Sequence, residues 1–121
     1  STAFVAPAGG RGQHVVYIDD DEIMVLTVER LLQRAGYRVS AYTDAGRALD
    51  ALRAAPQDAD LVITDFNMPG RSGLDVLREV AALRADLPVI LSSGYLSSAL
   101  RAEARSAGVR GLLKKEHTVE E

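Results

Sequence analysis

The 121-residue chain has no cysteine and no apolar run near the roughly 20 residues that span a bilayer. The first absence excludes a disulfide framework and a thiolate metal site, and it fits a reducing, cytoplasmic setting. The second leaves no candidate membrane helix, and no signal-peptide pattern is present. Lys and Arg number 14 against 17 acidic residues, a net charge of -3, so the basic excess that marks nucleic-acid binding is missing. Internal repeats and low-complexity tracts are also missing. The length suits one domain with one core.

Residues 1–13 (STAFVAPAGGRGQ) are rich in Ala, Gly and Pro without periodicity and read as a linker. A chain that begins with Ser and such a linker is expected to be a piece of a larger protein. From His14 onward, apolar strands alternate with helical patterns. HVVYI (His14 to Ile18) reads as a buried strand, followed by Asp19-Asp20-Asp21-Glu22. Asp21 is placed to cap a helix carrying Ile23, Leu26, Leu31 and Ala35 together with Met24, Val28 and Leu32, ending at Gly36. Tyr37 to Tyr42 alternates like a strand near a sheet edge. Asp44 is placed to cap the next helix, which carries Ala45, Ala48, Leu49 and Leu52 and ends near Pro56.

The central stretch is Asp60 to Gly73, DLVITDFNMPGRSG. Leu61 to Thr64 is a β-branched run short enough to be a strand buried on both faces. It ends at Asp65, and Pro69 and Gly70 supply turn chemistry before a helix opens near Ser72. That helix carries Leu74, Leu77, Val80 and Leu83. A fourth strand, Val89 to Leu91, enters from Pro88 and closes at Ser92-Ser93-Gly94. A helix with Leu96, Leu100 and Ala104 ends at Gly108, and Val109 to Lys114 reads as a fifth strand. Strict alternation with short connections predicts an α/β domain with a parallel, doubly wound sheet and helices on both faces. His117 to Glu121 reads as the first turn of a last helix that is truncated.

Every candidate functional group follows the carboxyl end of a predicted strand: Asp19 and Asp20, Asp65, Ser92 and Ser93, Lys114 and Lys115. In a parallel sheet these ends share one edge, where open α/β folds bind ligands. Three carboxylates together repel one another unless a cation lies among them, and oxygen ligands alone favour Mg²⁺. A metal, a hydroxyl and a lysine form a cradle for a phosphoryl group, with Asp65 as the nucleophile that becomes an aspartyl phosphate.

These four motifs, in order and spacing over His14 to Thr118, resemble the receiver domain of two-component signalling, the domain of response regulators and hybrid histidine kinases. The resemblance implies a flavodoxin-like, five-stranded parallel sheet of order 2-1-3-4-5, with residues 14–121 as the receiver. It implies that Asp65 accepts phosphate from a histidine kinase or a histidine phosphotransfer domain. Mg²⁺ would be held by Asp20, Asp65 and the backbone carbonyl of Asn67, with Asp19 acting through water. Ser93, five residues after Pro88, matches the switch hydroxyl, and Lys115, four after Gly111, matches the phosphate-pairing lysine; Lys114 competes with it. Three positions depart from the family pattern. Glu116 follows the lysine where the family has Pro, Leu112 occupies the aromatic switch position, and the last helix is missing. The tail of a hybrid sensor histidine kinase, with a parent protein anchored in a membrane, is the expected origin, and a multidomain regulator is the alternative. Further domains of the same chain are expected partners, and self-association stays open; neither nucleic acid nor membrane is expected to bind this domain.

Two other functions compete. Asp19-x-Asp21 after an apolar strand resembles the nucleophile motif of haloacid-dehalogenase-type phosphatases, but that reading leaves Asp65 without a role. A pseudo-receiver, an interaction module that takes no phosphate, is the other. Tyr95 either shields the phosphoryl site or packs. Ser92 reads as a core hydroxyl, and His14 and His117, with no ligand spacing, as structural or exposed.

Overall fold

The structure, a computed structural model, describes residues 2–3, 10–93, 98–114 and 116–117. The first long strand, β1 (His14–Ile18), is buried along its whole length, as a parallel strand covered on both faces must be. Helix α1 (Glu22–Arg34) starts where the Asp21 carboxylate accepts the backbone N–H groups of Ile23 and Met24, at 2.9 and 3.2 Å. Strand β2 (Arg38–Tyr42) is less buried than β1, and α2 (Ala45–Ala54) is capped by Asp44 through the Arg47 N–H. Strand β3 (Leu61–Asp65) leads to α3 (Gly73–Leu83), which opens on a reciprocal box. Ser72 Oγ accepts from the Asp75 N–H, and the Asp75 carboxylate accepts from the Ser72 N–H. Strand β4 (Val89–Ser93) and helix α4 (Ser98–Ser106) follow.

The strands run parallel in the order β2-β1-β3-β4, and Gly111–Lys114 pairs in parallel along the far side of β4. The fold is the flavodoxin-like one expected. On one face Val16, Ile18, Val62, Val89 and Leu91 meet the apolar sides of α2 and α3 and Ala104 of α4. On the other, Val15, Tyr17 and Ile63 meet Met24, Val28 and Leu32 of α1.

The structure refines the sequence reading at several places. Of the two apolar sets in α1, only Met24, Val28 and Leu32 are buried, while Ile23 is 78% and Leu26 47% exposed. A helix laid on one sheet face buries a single stripe, and the i, i+4, i+8 set occupies it. Helix α4 begins at Ser98, and Leu96 lies outside the described residues. The ladder of the last strand covers Gly111–Lys114 and not Val109.

Described residues near both ends of the chain make backbone contacts. Thr2–Ala3 pairs antiparallel with Glu116–His117. Residues 118–121, where the last helix was expected to continue, lie outside the described residues. Gly10 donates its N–H to the Ala35 carbonyl and Gly12 to that of Gly36, both at 2.8 Å. This approach depends on glycine: a Cβ on Gly10 would lie 2.7 Å from the Ala35 carbonyl oxygen, and Gly36 holds a φ of 101°.

Candidate functional site

The carboxyl ends of β1, β3 and β4 converge on one edge. Asp19 is fully buried and Asp65 is 5% exposed, whereas Asp20 faces solvent. One carboxylate oxygen from each of Asp19, Asp20 and Asp65 can be chosen so that all three lie within 4.8 Å of one another. Register explains the convergence: Ile18 lies opposite Thr64, so the residues that follow β1 lie beside Asp65.

Each carboxylate is placed by its neighbourhood. Asp19 accepts on both oxygens: Oδ1 takes the Asp21 N–H at 3.0 Å, and Oδ2 takes the Tyr17 hydroxyl at 2.9 Å. Burial, and then the negative charge of Asp19 with its hydrogen bond, push the Tyr17 hydroxyl far above its ordinary range. It therefore stays protonated and donates. Asp65 closes β3, and the loop behind it folds back so that the Gly73 N–H donates to the Phe66 carbonyl at 2.9 Å. The Phe66 N–H in turn donates to the Ser92 carbonyl at 2.8 Å, tying the loop to β4.

Ser92 and Ser93 are both buried at the end of β4. Ser92 lies opposite Asp65 in register and Ser93 opposite Lys114. Asn67 is exposed in the loop two residues after Asp65. Lys115 and Tyr95 lie outside the described residues, as does the Lys114 side chain. A cavity of about 410 Å³ opens beside Asp20, lined among others by Asp44, Met68, Pro69 and Arg71. Arg71 is held from outside by Glu79, whose carboxylate also takes Arg53 at 2.7 Å.

The acidic edge fits a hard divalent cation. Three carboxylates this close repel one another, and a doubly charged ion with a preference for oxygen would relieve that repulsion. Sequence reasoning missed Tyr17. Its signal was available, because side chains two apart on a strand share a face, which puts Tyr17 and Asp19 together. His14 is structural as expected, with Nε2 2.7 Å from Ser40 Oγ and Nδ1 3.2 Å from the Asp58 carbonyl.

An open, doubly wound sheet with an acidic cluster at its carboxyl edge defines a class of ligand-binding α/β domain. Within that class, residues 15–121 match the model of the response regulator receiver domain. The sensory/regulatory protein RpfC of Xanthomonas campestris is 36% identical over 110 residues, covering 87% of the chain and 15% of RpfC. The chain thus spans a small part of that relative. Among solved structures, the chemotaxis protein CheY4 of Vibrio cholerae superposes with a TM-score of 0.81 at 27% identity, covering 90% of this chain and 91% of that one. A response regulator from Burkholderia pseudomallei, solved with a phosphorylated aspartic acid, a calcium ion and citrate, gives 0.77 at 29% identity, covering 89% and 62%. The chain belongs to the response regulator receiver domain family. Its function is that of a receiver in two-component signal transduction.

Proposed function

We propose that Asp65 is the phosphoacceptor and that Asp19, Asp20 and Asp65 form its Mg²⁺ site. The observation that carries this reading is the convergence of the three carboxylates around the end of the central strand. In the forward step an Asp65 carboxylate oxygen attacks the phosphorus of a phosphohistidine. The new P–O bond forms, the P–N bond breaks, and the imidazole leaves with the electron pair. Water later attacks the acyl phosphate, restoring the Asp65 carboxylate and releasing inorganic phosphate.

Asp20 and Asp65, with the Asn67 carbonyl, would hold the metal, and Asp19 would act through water. Bound there, Mg²⁺ supplies positive charge against the phosphoryl oxygens. Ser93 donates its hydroxyl to one of those oxygens and Lys115 pairs with another. Asp19 is a poor candidate for a phosphatase-type nucleophile, because it is fully buried and both its oxygens accept hydrogen bonds.

The phosphodonor is a histidine kinase or a histidine phosphotransfer domain. Exposed Ile23 and Leu26, beside a shallow cavity of about 480 Å³ on α1, offer it an apolar contact close to the acidic edge. The receiver is residues 14–121, with a five-stranded sheet of order 2-1-3-4-5, and residues 1–13 lead into it. Its parent is a hybrid histidine kinase or a multidomain regulator acting in the cytoplasm. Among the described residues no helix is long and apolar enough to cross a membrane.

The test is beryllofluoride binding followed by NMR. Binding that needs both Mg²⁺ and Asp65 is expected. Binding that persists in Asp65→Asn would overturn the assignment.

A further inference from the structure

Tyr17 is 1% exposed in the cluster that joins the sheet to α1, surrounded by Val15, Met24, Val28, Leu32 and Ile63. Nothing in that apolar setting calls for a hydroxyl, and Phe would fill nearly the same volume. The hydroxyl instead donates to Asp19 Oδ2 at 2.9 Å, while the Asp21 N–H holds Oδ1 at 3.0 Å. Two donors, one on each oxygen, fix both the plane and the rotation of the Asp19 carboxylate.

We infer that Tyr17 is a positioning residue for the metal site, whose hydroxyl holds the Asp19 carboxylate in the orientation that favours Mg²⁺. The inference rests on the reading of the three acids as a divalent-cation site. Partners that orient a ligand from behind contribute strongly to affinity, because a ligand already held in place loses little freedom on binding. They also select between ions. Mg²⁺ keeps several waters and takes few carboxylates, whereas Ca²⁺ accepts more oxygens, often both from one carboxylate. Because both oxygens of Asp19 already accept hydrogen bonds, a two-oxygen grip on a cation must displace a donor. Removing the hydroxyl lifts that constraint on one oxygen. Mg²⁺ therefore loses a preoriented partner, while Ca²⁺ has one donor fewer to displace at that oxygen.

The experiment is titration of the folded chain with Mg²⁺ and with Ca²⁺ by calorimetry, for the wild type, Tyr17→Phe and Val15→Ala. Val15→Ala removes buried methyl groups from the same cluster without touching Asp19. Tyr17→Phe is expected to weaken Mg²⁺ binding about tenfold, at the lower end of what such partners usually contribute. It should also narrow the preference for Mg²⁺ over Ca²⁺, and Val15→Ala should not. An Mg²⁺ affinity changed by less than about threefold, or an equal loss for both ions, would overturn the inference. Failure of the wild type to bind Mg²⁺ at all would instead overturn the metal site itself.

If Tyr17→Phe does not fold, wild-type chain carrying 3-fluorotyrosine decides the matter. The fluorine resonance of Tyr17 is assigned by replacing Tyr37, Tyr42 and Tyr95 in turn with Phe. It should shift as Mg²⁺ is added, and a resonance that stays in place would overturn the inference.

Discussion

Gly73 lies so close to Asp65 that a Cβ at residue 73 would be 2.6 Å from the Asp65 carbonyl oxygen. It would also lie 2.9 Å from the Phe66 Cα, so the first residue of α3 is packed against the backbone of the proposed phosphoacceptor. Gly73→Ala must push that backbone or the helix aside. A loss of about 1–3 kcal/mol is expected, the usual range for overpacking. Urea denaturation measures it, and an unchanged midpoint would show that the loop yields freely.

Asp65→Asn removes one of three mutually repelling carboxylates while keeping nearly the same shape. The variant should take no phosphate from acetyl phosphate, and its melting temperature should not fall below that of the wild type. Intact-mass spectrometry and a thermal melt read the two halves. Stoichiometric phosphate on the variant would place the nucleophile elsewhere.

Asp20 is the solvent-facing member of the acidic cluster. Asp20→Ala should therefore weaken Mg²⁺ binding about tenfold or more, with a stability change within about 0.5 kcal/mol. Unchanged affinity in a calorimetric titration would sink the ligand assignment.

Tyr17 sets an alkaline limit. Its hydroxyl pKa is raised in the folded state, chiefly by burial and then by Asp19, above its ordinary value of 10.0. The folded chain thus holds a proton that the unfolded chain releases above about pH 10. Stability is fully present below that pH and falls above it, by at most about 1.4 kcal/mol per pH unit for this one group. Tyr17→Phe should flatten that decline in urea melts between about pH 9.5 and 11. An equally steep decline in the variant would assign it to other groups.

Much of this was legible in the sequence, for physical reasons that differ by residue. Asp21 and Asp44 announced their helices because each is a side-chain acceptor placed just before an apolar periodic run, and each caps as expected; Ser72, near which a helix was expected to open, caps the third. Asp19, Asp20 and Asp65 could be grouped because parallel strands bring their carboxyl ends to one edge. The exposure of Ile23 and Leu26 was not legible, because helical spacing allows more than one apolar stripe and only contact with the sheet decides which is buried. The role of Tyr17 was missed for another reason: the two-residue period of a strand put it beside Asp19, but an aromatic residue in a buried strand looks like core, and only the structure shows its hydroxyl donating to that carboxylate. The docking of Gly10 and Gly12 was equally invisible, since it is carried by backbone groups that every sequence has.

That docking has a mechanical consequence. Gly10 and Gly12 bond to the Ala35 and Gly36 carbonyls, Gln13 accepts the Arg38 N–H, and Arg38 Nε donates to the Gly12 carbonyl. A pull applied ahead of Gly10 is therefore delivered to the corner where α1 turns into β2. From there α1 runs as a stiff rod of roughly 20 Å to Asp21, beside the acidic edge. Tension on the leading segment and chemistry at the carboxylates thus act on opposite ends of one lever.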